Sequence, residues 1–339
     1  MSTTTEPKMI NFMGQSFIAV VFSGLLILGS IFGIWYKGLN FGIDFTGGTL
    51  IEVSYPKPVE LTPLRNQLAQ AGFDEAVVQH FGSAEEVLIR IAPRDGVNSA
   101  QLSNQVMETL RATSTESIEL RRVEFVGPQV GKELTEDGAL AVLYALFGIL
   151  IYVSLRYEWR FALGSVLALV HDVIITVGLF AWTQLQFDLT VVAALLAVIG
   201  YSLNDTIVVF DRVRENFRIM REPDPVVVTN VAINQMLART IMTSLTTLVV
   251  LVALLLLGGE VIAGFAAALV VGIVVGTFSS TYIAASFALL LGVSKEDLMK
   301  APKEERDVES EEAELQRLFL EQEAKRQAKL AAQGKDDAV

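Results

Sequence analysis

The sequence predicts a polytopic α-helical membrane protein with six transmembrane helices and one external α+β domain after the first of them. Three observations carry that prediction. Uncharged apolar runs of roughly 20 residues, enough to cross a ~30 Å hydrocarbon core, recur six times along the chain. Charge collects outside those runs, and the short loops between them alternate between basic and non-basic. In composition the 339 residues are 52% hydrophobic and 19% charged, with a mean hydropathy of +0.48, more apolar and less charged than a soluble domain.

The runs are Ser16 to Tyr36, Gly138 to Leu155, Phe161 to Gln184, Leu189 to Phe210, Thr240 to Gly259, and Val261 to about Leu291. The first has spanning length and no small-residue cleavage site, which predicts a retained anchor rather than a signal peptide. Arg156 and Arg160 follow the second run, and Arg212, Arg214, Arg218 and Arg221 follow the fourth, whereas the turns after the third and fifth carry no basic residue. By the positive-inside rule both termini lie in the cytoplasm, in agreement with Lys8 and a lysine-rich tail.

The domain organisation follows. Residues 1–37 are the cytoplasmic N-terminus and first helix, 38–136 the extracytoplasmic domain, 137–292 helices two to six, and 293–339 a charged cytoplasmic tail of helical composition, expected to be solvated. Within 38–136, Thr49–Tyr55, Ala76–Phe81, Val87–Ala92 and Ile118–Val126 have strand character, while Thr62–Gly72 and Asn98–Thr113 have helical periodicity. The order β-α-β-β-α-β is that of the ferredoxin-like split βαβ motif. Past the fourth run the helix is expected to continue through FDRVRENFRIM and break at Pro223 and Pro225, with VVVTNVAINQML lying at the interface as an amphipathic stretch.

Composition excludes several chemistries. The chain has no cysteine, hence no disulfide, thiolate zinc site, iron–sulfur cluster or cysteine nucleophile, and only His80 and His171 as histidines. HExxH and Walker A patterns are absent, so neither an enzyme nor a cofactor is expected. The net charge of −12 disfavours nucleic acid: residues 38–136 hold 14 acids against 8 bases, and the tail 13 against 9.

Asp205 is the most informative position. An aspartate deep in a span costs about 2.5–3.5 kcal/mol to insert, and such residues are usually paired or lie on an ion path. Arg239 opens the fifth run at the same side of the membrane, so the two side chains can meet if their helices are adjacent, either as a static ion pair or as a proton-coupled switch. Tyr201, Ser202 and Asn204 lie within a turn of Asp205. Thr240, Thr243, Ser244, Thr246 and Thr247, with Thr277, Ser279, Ser280, Thr281 and Tyr282, add hydroxyls that can line a water file or bond their own helices. His171 and Asp172 lie near mid-membrane as a proton relay or a structural hydrogen-bonding pair; neighbours on a helix point about 100° apart and need not touch. Small residues recur at Gly29 and Gly33, and at Ala268, Gly272, Gly276, Ser280 and Ala284, which favours close helix approach. After the first run, Gly42, Asp44, Gly47 and Gly48 are read as a structural turn, with the glycines supplying positive φ and Asp44 capping it.

GIDFTGGT after the first run, FVGPQVGKEL before the second, SLRYEWRFALG after it and GYSLNDTIVVFDRVREN in the fourth resemble SecF of the SecD/SecF protein-export family, within the resistance–nodulation–division superfamily. The resemblance covers the chain to about Leu298. It implies a subunit of the bacterial inner membrane that works with SecD, supplied in trans, beside the SecY/SecE/SecG channel and other membrane insertion factors, and that uses the proton-motive force on translocating preproteins. It implies protons as the coupling ion and places their transport on Asp205, with Arg239. A small-molecule efflux component of the same superfamily and a passive scaffold are the alternatives; the former is expected to carry two six-span repeats.

Overall fold

The computed structural model describes residues 9–93, 99–113, 117–220 and 224–293. Among them are six helical segments long and apolar enough to cross a membrane. A short 3-10 turn, Met13–Gln15, leads into α1, Ser16–Lys37. The chain then forms β1 (Asn40–Phe41), α2 (Ile43–Thr46), β2 (Gly48–Ser54), α3 (Leu61–Gln70), β3 (Val77–Phe81), β4 (Ser83–Ile91), α4 (Ser99–Thr113) and β5 (Glu119–Val126). The remaining spans are α5 (Pro128–Arg156), α6 (Trp159–Thr183), α7 (Leu189–Ile219) and α8 (Pro225–Leu257), with the two-residue β6 (Gln186–Phe187) between α6 and α7. The last span is α9 (Glu260–Ser279), a π-helical turn at Ser280–Ala284, and α10 (Ala285–Leu290).

The α+β domain has the predicted βαββαβ order. Its sheet runs β3-β4-β2-β5 with every neighbouring pair antiparallel. Because side chains alternate across a strand, Ile51, Val53, Val87 and Ile89 face Leu64 and Leu68 of α3 and Leu102, Val106 and Leu110 of α4. Leu50 and Leu88 point to the other face, against Ile43. The β3–β4 turn is tighter than GSAEE suggests: Gly82, at φ 78°, reverses the chain alone, and β4 starts at Ser83.

In the bundle α6 and α7 are the inner helices, while α1, α5 and α8 turn most of their apolar side chains outward. Glycines set the closest approaches. A Cβ on Gly33 of α1 would fall 2.5 Å from Trp182 of α6, whose Nε1–H donates to Gly29 O (3.0 Å). A Cβ on Gly276 of α9 would lie 3.0 Å from the Ser202 Cβ of α7, and one on Gly272 would overlap Val198. The small-residue repeats are thus the seams α1–α6 and α7–α9.

Two expectations need correction. The second span starts ten residues early, because Pro128 at the first helical position begins a helix that continues through Gly138. VVVTNVAINQML is no separate interfacial element: no Gly or Pro interrupts Val226–Leu257, and α8 runs unbroken for 33 residues. Its first turns are held by the N-terminal segment, with Ile10 N–H donating to Asn234 Oδ1 (2.8 Å) and Met13 N–H to Asn230 Oδ1 (3.2 Å). The sixth span carries the π-helical turn, a feature the apolar pattern does not encode. The expected break before Pro225 includes Pro223, and the expected tail is 293–339; of these, residues 221–223 and 294–339 lie outside the described residues.

Candidate functional site

α7 brings the expected polar residues to mid-span on different faces. Ser202, Asp205 and Thr206, at helical spacing of three and four, point inward and are buried. Asn204 points outward and is exposed. Asp205 is 4% exposed, and its Oδ2 has no hydrogen-bond partner. Buried polar atoms are nearly always paired, so this oxygen stands out among the buried polar atoms of the bundle.

Arg239 lies on α8, which packs against α7, so the adjacency that a meeting requires is present. The two helices adjoin, yet Asp205 Oδ2 is left without a bond and Arg239 itself is exposed. The sequence leaves open a static ion pair; the structure places the two residues on adjacent helices without a contact pair.

Hydroxyls occupy the seams around this site. Tyr201 OH faces Thr247 Oγ1 at 3.4 Å across α7–α8, and Ser244 Oγ and Thr277 Oγ1 share a hydrogen bond of 2.7 Å across α8–α9. Thr243 Oγ1 donates to Arg239 O and Thr240 O (both 3.0 Å), and Thr247 Oγ1 to Thr243 O (3.0 Å). These threonines therefore satisfy themselves on their own helix, while Tyr201 and Ser244 reach across.

His171 and Asp172 do touch: Nδ1 lies 2.8 Å from Asp172 Oδ1. The ring nitrogen nearer the backbone spans the 100° offset that argued against contact. Asp172 Oδ2 accepts from Ser202 Oγ (2.5 Å) and Ser279 Oγ (2.8 Å), and His171 Nε2 bonds Ser23 Oγ. One buried cluster thereby ties α1, α6, α7 and α9 together, one turn from Asp205. Ser23 is the member that sequence reasoning misses; its signal is a buried hydroxyl in an otherwise apolar stretch of α1.

The glycine turn also behaves differently from expectation. Gly47 and Gly48 do adopt positive φ, 66° and 123°. Asp44, however, does not cap its own turn: Oδ2 accepts the backbone N–H of Leu189 (3.0 Å), the first residue of α7 and 145 positions away. Gly42 has extended backbone, and its N–H donates to Phe187 O at 2.8 Å.

The comparisons with known proteins agree with this architecture. Residues 105–294 match the family model described as protein export membrane protein SecD/SecF, C-terminal, and residues 33–59 match the SecD/SecF GG motif. The chain is 54% identical over 305 residues to the protein translocase subunit SecF of Vibrio alginolyticus, covering 90% of this chain and 97% of that one. It is 51% identical to the SecF of Pseudomonas aeruginosa (86% and 94% covered) and 45% identical to that of Escherichia coli O157:H7 (86% and 91% covered). Among solved structures, the crystal structure of the translocon-associated membrane protein SecDF from Thermus thermophilus superposes with a TM-score of 0.77 at 38% identity, over 86% of this chain and 39% of the SecDF chain. A second SecDF structure, in the super-membrane-facing form, gives a TM-score of 0.63 over 86% of this chain and 40% of that one. With a family model across more than half of its length and SecF subunits matched nearly end to end, the chain belongs to the SecD/SecF family of protein export membrane proteins, as a SecF-type subunit.

Proposed function

We propose that this chain, together with SecD, uses the proton-motive force to assist preprotein translocation through the SecY/SecE/SecG channel, acting as a transport subunit and not as an enzyme, with protons as coupling ion. The observation that carries the reading is Asp205: a carboxylate in a span, 4% exposed, with Oδ2 unpartnered and a cation on the next helix. A carboxylate so placed gains or loses a proton without first breaking a hydrogen-bond network of its own, and each change of charge alters its attraction to Arg239. The α7–α8 and α8–α9 packing then has two arrangements to choose between. One charge crossing 100 mV supplies about 2.3 kcal/mol, enough to bias such an equilibrium.

Both termini are cytoplasmic in this reading, and the α+β domain lies outside the bacterial inner membrane. SecD supplies the part of the assembly that the longer SecDF chains hold in one polypeptide. In support, α7 leaves Ala193, Ala197, Gly200 and Asn204 exposed along one stripe, and a Cβ on Gly200 would meet nothing within 4 Å in this chain. A partner helix fits there.

The test is proton flux into proteoliposomes holding the chain with its SecD, wild type beside Asp205→Asn, with insertion and pairing verified in both. The reading expects flux in the wild type and its loss in the variant. Wild-type flux no higher than in empty liposomes, or an Asp205→Asn protein that conducts normally, would overturn it in favour of a passive scaffold.

A further inference from the structure

The Gly42–Gly48 segment ties α7 to the α+β domain by more bonds than a turn requires. β1 pairs in parallel with β6, Asn40 opposite Gln186 and Phe41 opposite Phe187. Asn40 Nδ2–H donates to Gln184 O (3.0 Å), Gln184 Nε2–H to Gly38 O (3.1 Å), and Lys37 Nζ to Trp182 O (3.2 Å). Where α7 begins, two carboxylates share its free amides: Asp188 Oδ1 accepts from Val191 N–H (3.1 Å) and Asp44 Oδ2 from Leu189 N–H (3.0 Å). The first four amides of a helix have no partner within it, and the positive end of its dipole favours anions there. Asp188 is the local cap; Asp44 comes from another part of the chain.

From Asp44 the route to the sheet is short and stiff. The N–H groups of Thr46 and Gly47 donate to Gly42 O (3.2 Å) and Ile43 O (2.8 Å), closing a single helical turn. Gly48 opens β2, a central strand of the sheet, with β4 on one side and β5 on the other. Arg90 of β4 donates to Asn40 Oδ1 (2.8 Å) and to Phe41 O. α5 closes the other side: a Cβ on Gly131 would fall 2.9 Å from both Gly47 N and Phe45 O. Backbone touches backbone there, so the segment has no room to fold away when its neighbours move.

We infer that the Gly42–Gly48 segment is the mechanical joint through which displacement of α7 reaches the α+β domain, with Asp44 as its positioning residue. Asp205 lies sixteen positions along α7 from Leu189, about 24 Å at 1.5 Å per residue. A helix of that length moves nearly as a rod, so an axial shift or tilt set up at Asp205 arrives at Leu189 and Asp188. The joint passes it on to β2 and β4 directly, without a flexible linker. This inference rests on the proton-driven reading above for the source of the motion, though not for the geometry of its delivery.

The experiment uses the full chain with SecD in vesicles that also hold the translocon, and measures proton flux and proton-motive-force-dependent export separately. Asp44→Asn keeps a carbonyl oxygen that can accept the Leu189 N–H and is expected to stay within about twofold of wild type in export. Asp44→Ala removes the acceptor; export is expected to fall about tenfold, the order expected for one charge-assisted hydrogen bond, while proton flux persists. Asp205→Asn is the control in which flux itself is lost. Asp44→Ala exporting at the wild-type rate would overturn the joint, as would its losing flux together with export. A wild type without flux would instead overturn the proton-driven reading, and the joint then stands or falls on whether export separates Asp44→Ala from Asp44→Asn. Because the chain has no native cysteine, Asn40→Cys with Gln186→Cys can lock β1 to β6. Export that survives oxidation supports a joint moving as one piece; export that stops on oxidation and returns on reduction would overturn it.

Discussion

Two aspartates lie buried in the same bundle, one turn of α7 apart in their surroundings, and they are treated in opposite ways. Asp172 is 1% exposed and fully engaged, with His171 on Oδ1 and Ser202 and Ser279 on Oδ2. Asp205 is 4% exposed, and its Oδ2 is bonded to nothing. Burial is the same; satisfaction is not. A saturated carboxylate joins helices and resists change, because each alternative arrangement breaks several bonds at once. An unsaturated one has fewer bonds of its own to lose, so a proton or a small helix shift changes its energy with little else to break. Depth in the membrane alone does not distinguish a saturated acid from an unsaturated one.

The largest effect expected of this contrast is a double dissociation. Asp205→Asn abolishes proton flux with the thermal stability of the detergent-solubilised chain unchanged or raised, since an unsatisfied buried group becomes a neutral one. Asp172→Ala lowers stability by about 2 kcal/mol, from three lost hydrogen bonds at roughly 0.6 kcal/mol each in a membrane bundle. An Asp172→Asn variant that keeps its stability yet loses flux would break the comparison and put both acids on the proton path.

A second expectation, of similar or smaller size, concerns the two sides of α7. Gly272→Leu forces side-chain atoms into the Val198 contact and should cost about 1–3 kcal/mol in a thermal unfolding series, as overpacking does. Gly200→Ala, on the open side, should be neutral or slightly stabilising in the chain alone. The same Gly200→Ala weakening co-purification with SecD would sharpen the picture, because it identifies the open stripe as a helix contact.

The smallest effect is alkaline and lies outside the membrane. Tyr55, in the core of the α+β domain, also has a buried unpartnered oxygen, and burial pushes its hydroxyl up to about 12. A free tyrosine titrates near 10. The folded value is the higher one, so the associated stability is present below about pH 10 and is lost as pH rises towards 12. Absorbance titration of the wild type minus Tyr55→Phe should show one late-titrating tyrosine, and Tyr55→Phe should leave neutral-pH stability within about 1 kcal/mol. A Tyr55 signal at the ordinary value would show that an unpartnered atom in this domain is reached by water.

Much of this molecule is a property of local sequence. Six spans are legible because crossing hydrocarbon demands length and apolarity from each segment alone. The strand and helix order of 38–136 follows from periods of two and 3.6, read a few residues at a time. Asp205 stands out because the cost of placing a carboxylate in a span is charged to a single residue. Pro128, too, starts α5 by a local rule, although the apolar pattern places the span later.

What only the tertiary structure decides are pairings between distant segments. Nothing near Asp44 indicates that its oxygen belongs to the amide of Leu189, 145 positions on. Nothing near Ser23 shows that it completes the cluster of His171 and Asp172 on another helix. The same holds for Asp205 and Arg239, whose types announce a charge interaction but whose packing withholds the contact. A hydrogen bond needs its atoms within a few tenths of an ångström and aligned. Helix propensity and hydropathy set each segment's class and depth; the bond partners are set by how the segments rotate and seat against one another, and that is a property of the whole bundle.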